Sequence, residues 1–247
     1  MMNSVCIATY NGEEYIEEQL NSILSQIAAD DEIIISDDGS TDNTLKIIQY
    51  INDKRVKIVD GGYKNFKWNF ANAISHAKGD VIFLADQDDI WIEGKYDACI
   101  KALETVDLVC TNSTVVDNEL NVIIPSFFDY YGSGKGVIKN ALNNTYYGSC
   151  MAFKKEIVTA AFPLPKTKEI GHDIWLGLVA EIVGTVEFIK TPYLLYRRHD
   201  MTYTNISTNL LTRSKRSIIK KIWSRVVVLY HITLFKGLIK TSRRKIK

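Results

Sequence analysis

The sequence predicts an α/β protein built on a mixed, mostly parallel sheet flanked by helices. Three observations predict it. Short apolar runs recur through residues 1–110, each separated from the next by a segment of helical periodicity. The runs are rich in Ile and Val and carry no polar face, as strands buried on both sides must. Polar clusters follow three of the runs, where parallel sheets hold their ligand-binding loops.

Taken in order, Val5–Tyr10 reads as the first strand and Tyr15–Ser25 as a helix with Ile16, Leu20, Ile23 and Leu24 on one face. Ile33–Ser36 is the second strand and Thr44–Ile51 the next helix. Val56–Val59 is the third strand, Phe70–Ala77 a helix and Val81–Ala85 the fourth strand. Glu93–Val106 is helical and leads into Leu108–Thr111. From Val115 the rhythm breaks. "VVDNELNVIIP" reads as a hairpin, and the aromatic, glycine-rich "SFFDYYGSGKG" as a mobile loop. "YYGSCMAFKK" reads as a strand and "HDIWLGLVAEIVG" as a helix starting at His172-Asp173. Thr185–Ile189 and Tyr193–Arg197 are two closing strands.

Composition narrows the class. The 247 residues are 46% hydrophobic and 24% charged, a soluble globular balance with material for a large core. Cys6, Cys99, Cys110 and Cys150 show no CxxC spacing, which argues for reduced thiols in a cytoplasmic compartment and against structural zinc. No basic segment followed by an apolar one opens the chain, so no secretory signal is expected. The net charge of +1 hides an asymmetry. Residues 213–247 hold 12 Lys and Arg and no acid, leaving 18 basic and 29 acidic residues before them, a net charge of −11. The expected organisation is a catalytic domain over 1–206 and a basic amphipathic helical extension over 207–247.

The fourth strand runs into "LADQDDIW", three carboxylates within four residues. Such crowding either marks a solvated turn or a bound cation. Few hard oxygen ligands suit Mg2+ or Mn2+ shared with substrate phosphates, and the glycine and distal glutamate of a calcium-binding EF-hand loop are missing.

Taken together, "SVCIATYNGEEYIEEQLNSILSQ", "EIIISDDGSTDNTLKII" and "GDVIFLADQDDIW" resemble the successive signatures of the family 2 glycosyltransferases with the GT-A fold. The resemblance spans residues 3–200, and "DQDDIW" with the later "HDIW" is similar to the bacterial rhamnosyltransferase-like branch. It implies an inverting, metal-dependent transfer of a sugar from a UDP- or dTDP-linked donor. The acceptor would be a hydroxyl of a glycan or lipid-linked oligosaccharide, in bacterial cell-surface polysaccharide synthesis. It implies that Thr9, Tyr10 and Asn11 line the nucleotide, that Asp38 contacts the base, and that Asp86 lies near the ribose. Asp86 and Asp88 are the implied metal ligands, with His199 completing the site unless it is an ordinary surface histidine. Asp89 is left between a supporting role and a helix cap.

Asp173 matches the family's catalytic base at a helix start, where an N-cap is the alternative. Helix-terminal N–H groups depress a carboxyl pKa, so Asp173 needs burial or a bound acceptor to serve as a base. His172 stands where the family often has Glu. Arg197, Arg198 and Lys67 are candidates for the diphosphate.

In the extension, Ile219, Ile222, Trp223, Val226 and Tyr230 fall on one side of a helix, with Lys220, Lys221 and Arg225 opposite. The longest uncharged stretch, Val226–Phe235, is shorter than the roughly 20 residues needed to span a bilayer. Peripheral attachment to the anionic inner face of the cell membrane through 213–247 is one expectation; packing on the catalytic domain or on another subunit is the other. A homo-oligomer is compatible with either. Nucleic acid is not an expected partner, because the acidic body repels phosphate. A sugar nucleotidyltransferase and a non-catalytic nucleotide-sugar-binding module are the competing functions. The first expects a glycine-rich basic loop that "TYNGEEY" lacks; the second expects a broken carboxylate set.

Overall fold

The structure, a computed structural model, describes residues 2–199 and 217–245. The expected domain boundary at 206/207 lies outside them. The first half alternates strictly: β1 (Asn3–Thr9), α1 (Ile16–Leu24), β2 (Glu32–Asp37), α2 (Thr44–Ile51), β3 (Val56–Asp60), α3 (Phe66–His76) and β4 (Val81–Asp86). These strands lie in the order β3-β2-β1-β4, all parallel. Their register decides where the loops go. Thr9 pairs with Asp37 and Ala8 with Asp86, so the loops leaving β1, β2 and β4 emerge on one rim.

The second half comprises β5 (Ile90–Trp91), α4 (Lys95–Leu103), β6 (Leu108–Val116), β7 (Val122–Ile124), α5 (Phe127–Tyr131) and α6 (Val137–Leu142). A 3-10 turn at Gly148–Cys150 then leads to β8 (Met151–Lys154), α7 (Lys155–Ala161), α8 (His172–Val183), β9 (Val186–Arg197) and α9 (Ile218–Lys245). The sheet continues from β4 through β8, β6 and β9 to β5. β8 is antiparallel to both neighbours, β9 runs parallel to β6, and β7 folds back on β6 as the expected hairpin.

Three expectations need correction. "SFFDYYGSGKG" is not wholly loop: the Ser126 side chain accepts from the Asp129 amide to cap α5, and Phe127 and Phe128 enter the core. Its glycines at 132, 134 and 136, all at positive φ, only end that helix and open the next. The two closing strands are one, β9, which crosses Pro192 by shifting its register against β6. Helix α3 starts one turn earlier than expected, because the Asn65 side chain accepts from the amides of Lys67 and Trp68.

Helix α8 is buried on nearly every side. It can be, because Gly177 lets the ring of Tyr146 lie flat against its backbone. A Cβ at 177 would meet that ring at 2.4 Å, and Tyr146 is itself fixed by donating to Glu181 Oε1 at 2.6 Å. Gly177→Ala is therefore expected to cost about 1–3 kcal/mol, the usual range for an overpacked core. In calorimetry that is a drop in Tm of roughly 2–4 °C per kcal/mol for a chain of this size. An unchanged Tm would show that the ring moves aside freely.

Candidate active site

Loops after β1 and β2 are built around buried Asp37. One of its oxygens accepts the amides of Gly39 and Ser40; the other accepts the hydroxyls of Thr9 and Ser40. Asn11 sits at φ +47° and accepts the Thr41 amide at 2.9 Å. Asp42 accepts the Thr44 amide at the start of α2, which leaves Asp38 for other work. Asp38 uses both oxygens on the amides of Lys64 and Asn65, at 2.7 and 2.8 Å, and so ties the loop before α3 to this rim. Tyr10 projects outward with 56% of its surface exposed. Its backbone is clamped by Gln87, which accepts from the Tyr10 amide and donates to the Tyr10 carbonyl. Tyr10 thus touches the carboxylate loop, while Thr9, Asn11 and Asp38 lie on the same rim.

In that loop, carboxylate oxygens of Asp86, Asp88 and Asp89 lie within 4.8 Å of one another. Their mutual repulsion is visible in the acid–base balance. Burial first, and then the Asp88 charge, push Asp86 up to about 7, and the same causes in the same order raise Asp89. Asp89 is not a helix cap, since β5 intervenes before α4; one of its oxygens accepts the Arg197 amide. Nitrogen-bearing side chains stand against the cluster on two sides. Lys95, fully buried, donates to the Ser149 carbonyl at 2.6 Å, lies over the Trp91 ring and acts on Asp86 and Asp89 from behind. His199 Nε2 approaches Asp88 Oδ2 at 2.9 Å, and its ring stacks on Tyr15 with centroids 4.6 Å apart. Residues 111 apart in sequence meet at this contact.

Three carboxylates brought this close form a donor set of the kind Mg2+ and Mn2+ accept, with the His199 imidazole against one of them. The repulsion left after Lys95 is what a divalent cation relieves. On this evidence Asp86, Asp88 and Asp89 could share a metal, with His199 held against Asp88.

Asp173 occupies the first turn of α8, its carboxylate folded over Gly171, where a Cβ would approach within 2.4 Å of it. Helix-end amides and the Asn144 side chain pull its pKa down, yet burial outweighs them and lifts it to about 6. Its charge also reaches Asp86. His172 is buried and stacked on Phe70 at 4.3 Å, with no hydrogen bond to either ring nitrogen among the described residues. Burial, helped by the Lys67 charge, lowers it to about 3, so the imidazole is neutral. Asp173 therefore has an uncharged neighbour where a glutamate would repel it.

The cationic candidates divide. The Lys67 ammonium donates to the carbonyls of Pro165 and Thr167. Arg197 pairs with Glu18 and donates to the carbonyls of Asp88 and Asn118. Both brace the rim from inside. Arg198 is half-buried, with its amide bonded to the Val116 carbonyl. Sequence reasoning missed Gln87, Lys95, Tyr15 and Glu18. Each is defined by a partner at least 50 residues away, and no local pattern marks it.

Comparison with known proteins decides the family. The family model described as Glycosyl transferase family 2 matches residues 4–162, which include β1 from Ser4 onward, β2, β4 and the whole carboxylate loop. The chain belongs to glycosyl transferase family 2. The glycosyltransferase is 29% identical over 246 residues to the dTDP-rhamnosyl transferase RfbG of Shigella flexneri, covering 89% of this chain and 81% of that one. It is 24% identical to the Escherichia coli UDP-Glc:alpha-D-GlcNAc-diphosphoundecaprenol beta-1,3-glucosyltransferase WfgD, covering 86% and 82%. In structure it is similar to S. aureus TarS 1-349 in complex with UDP-GlcNAc, at a TM-score of 0.68 and 18% identity, over 96% of this chain and 70% of that one. The mannosyltransferase PcManGT of Pyrobaculum calidifontis, in complex with GDP-Man and Mn2+, matches at 0.55 and 21% identity, over 79% and 56%. These likenesses give the glycosyltransferase its GT-A fold, and family membership sets the nucleotidyltransferase alternative aside.

Proposed function

We propose that this glycosyltransferase inverts the anomeric centre of a UDP- or dTDP-linked sugar as it moves the sugar to a hydroxyl of a glycan or lipid-linked acceptor in bacterial surface-polysaccharide synthesis. The observation that carries this is the contact of His199 with Asp88. It closes a carboxylate–imidazole set on the same rim as the loops of Thr9, Tyr10, Asn11 and Asp38, within electrostatic reach of Asp173. Asp86, Asp88 and His199 would hold Mg2+ or Mn2+, which supplies positive charge to the departing diphosphate. Thr9, Tyr10 and Asn11 line the nucleotide. Asp38, with a second lone pair free on each oxygen, accepts from the base. Arg198 faces the diphosphate, and Lys67 and Arg197 hold the surrounding loops in place.

Asp173 takes the acceptor proton at its carboxylate as the acceptor oxygen attacks the anomeric carbon from the face opposite the leaving group. No covalent enzyme intermediate forms. Since Asp173 must be ionised, and burial has lifted it to about 6, kcat at saturating donor and metal is expected to be level above that pH. Below it, kcat should fall tenfold per pH unit, because the carboxyl already carries the proton it would have to take from the acceptor. A profile flat down to pH 5 would remove Asp173 as the base.

The donor is tested by thermal shift across a panel of nucleotide sugars with Mg2+ or Mn2+. One UDP- or dTDP-linked sugar should raise Tm by several degrees, and only with metal present, as binding to the native state alone requires. Stabilisation by every donor without metal would count against the proposed site.

A further inference from the structure

We infer that α9 lies along the surface of an anionic lipid bilayer and carries the catalytic domain against it. The opposing faces of α9 have opposite fates. Val228 and Ile232 are buried on the domain, the Phe235 ring meets Trp175 at 5.5 Å, Ser224 donates to Glu169, and Arg225 donates to the Leu142 carbonyl. Turned the other way is the stripe of apolar residues that sequence periodicity assigns to one side, Ile219, Ile222, Trp223, Val226 and Tyr230, with Leu238 at the edge beyond them. Each of these is at least half exposed, Ile219 by 80% and Leu238 by 70%. At 1.5 Å per residue the stripe is about 30 Å long. A helix that had found its partner in its own domain would bury this stripe instead.

Charge identifies the occupant. Lys220 borders the stripe on one edge and Lys236 on the other, at 100° per residue. The sequence from 213 onward contains no acidic residue. An apolar face with Trp, flanked by cations, is what a helix in the interface of an anionic leaflet requires. The span Ile219–Ile239 is long and apolar enough to cross a membrane by length and composition. Crossing would, however, strip Val228, Ile232 and Phe235 from the domain, whereas lying flat keeps both faces satisfied. Because Trp175 is two residues from Asp173, the same contact sets the base-bearing helix beside the lipid. That last consequence rests on the proposed function; the binding itself does not.

The test is co-sedimentation of the full chain with phosphatidylcholine vesicles, with or without phosphatidylglycerol, read without turnover. Binding should appear with phosphatidylglycerol and weaken about tenfold or more in pure phosphatidylcholine or at high salt. Trp223→Glu with Leu234→Glu should lose at least tenfold in binding at unchanged Tm, since both side chains are exposed, and Lys220→Gln with Lys236→Gln should lose the salt dependence. Absent binding, or equal binding by the variants, would overturn the inference. So would a dimer in solution that only the Trp223→Glu variant dissociates, which would give the stripe to a second copy. Resistance of the bound chain to alkaline carbonate would mean that α9 spans.

Discussion

Asp173→Asn is expected to lower kcat by about 10²–10⁴-fold, the range for removing a positioned general base. Donor binding should be unchanged. The substitution keeps the size and the hydrogen-bond acceptor that faces the first-turn amides of α8, so the helix start survives. It removes only the charge that Asp173 carries above about pH 6. A structural cap would behave differently. Its loss would show in Tm and leave kcat nearly intact. Steady-state kinetics and a melting curve on the same preparation separate the two, and full turnover by the Asn variant would leave Asp173 only its place in the first turn, since the N-cap of α8 is Gly171.

Asp88→Ala should act at an earlier point and more severely. Asp88 is the member of the cluster that touches His199, and its charge is the largest neighbouring influence on both Asp86 and Asp89. Removing it relieves repulsion, so the metal-free protein should melt no lower than the parent. What disappears is the metal-dependent rise in Tm with donor. Turnover should fall by about 10³-fold or more, as expected when several kcal/mol of charge stabilisation on the leaving group is lost. A variant that keeps metal-dependent donor stabilisation would show that Asp88 is not a ligand.

Much of this was legible in the sequence because it is local. Periodicity marked each strand from β1 to β4, and the parallel connection rule then put "TYNG", "DDGS" and "LADQDDIW" on one rim. His199 and Asp173 came from resemblance; the first contacts Asp88, and the charge of the second reaches Asp86. The counter-charge behind the carboxylates was not legible. Lys95 lies in a segment that reads as an ordinary amphipathic helix, and only folding against Ser149 and Trp91 buries it. Gln87, the residue between two aspartates, reads as spacer until β1 brings the Tyr10 backbone beside it. α5 was obscured by three neighbouring glycines, although Ser126 and the buried Phe127 and Phe128 outweigh them. For α9 the sequence separated an apolar side from a basic one but could not say which side the domain would cover. That depended on Trp175 and Leu142, far away in the chain.

We propose that a shared divalent cation and a donor diphosphate hold together the carboxylates at the end of β4. Titration of Mn2+ followed by electron paramagnetic resonance, with the nucleoside diphosphate product present, measures this without requiring turnover. One Mn2+ per chain should bind to the parent protein and its signal should disappear from the free pool, whereas Asp88→Ala should leave the metal free. Equal Mn2+ uptake by parent and variant, or none by either, would contradict the account.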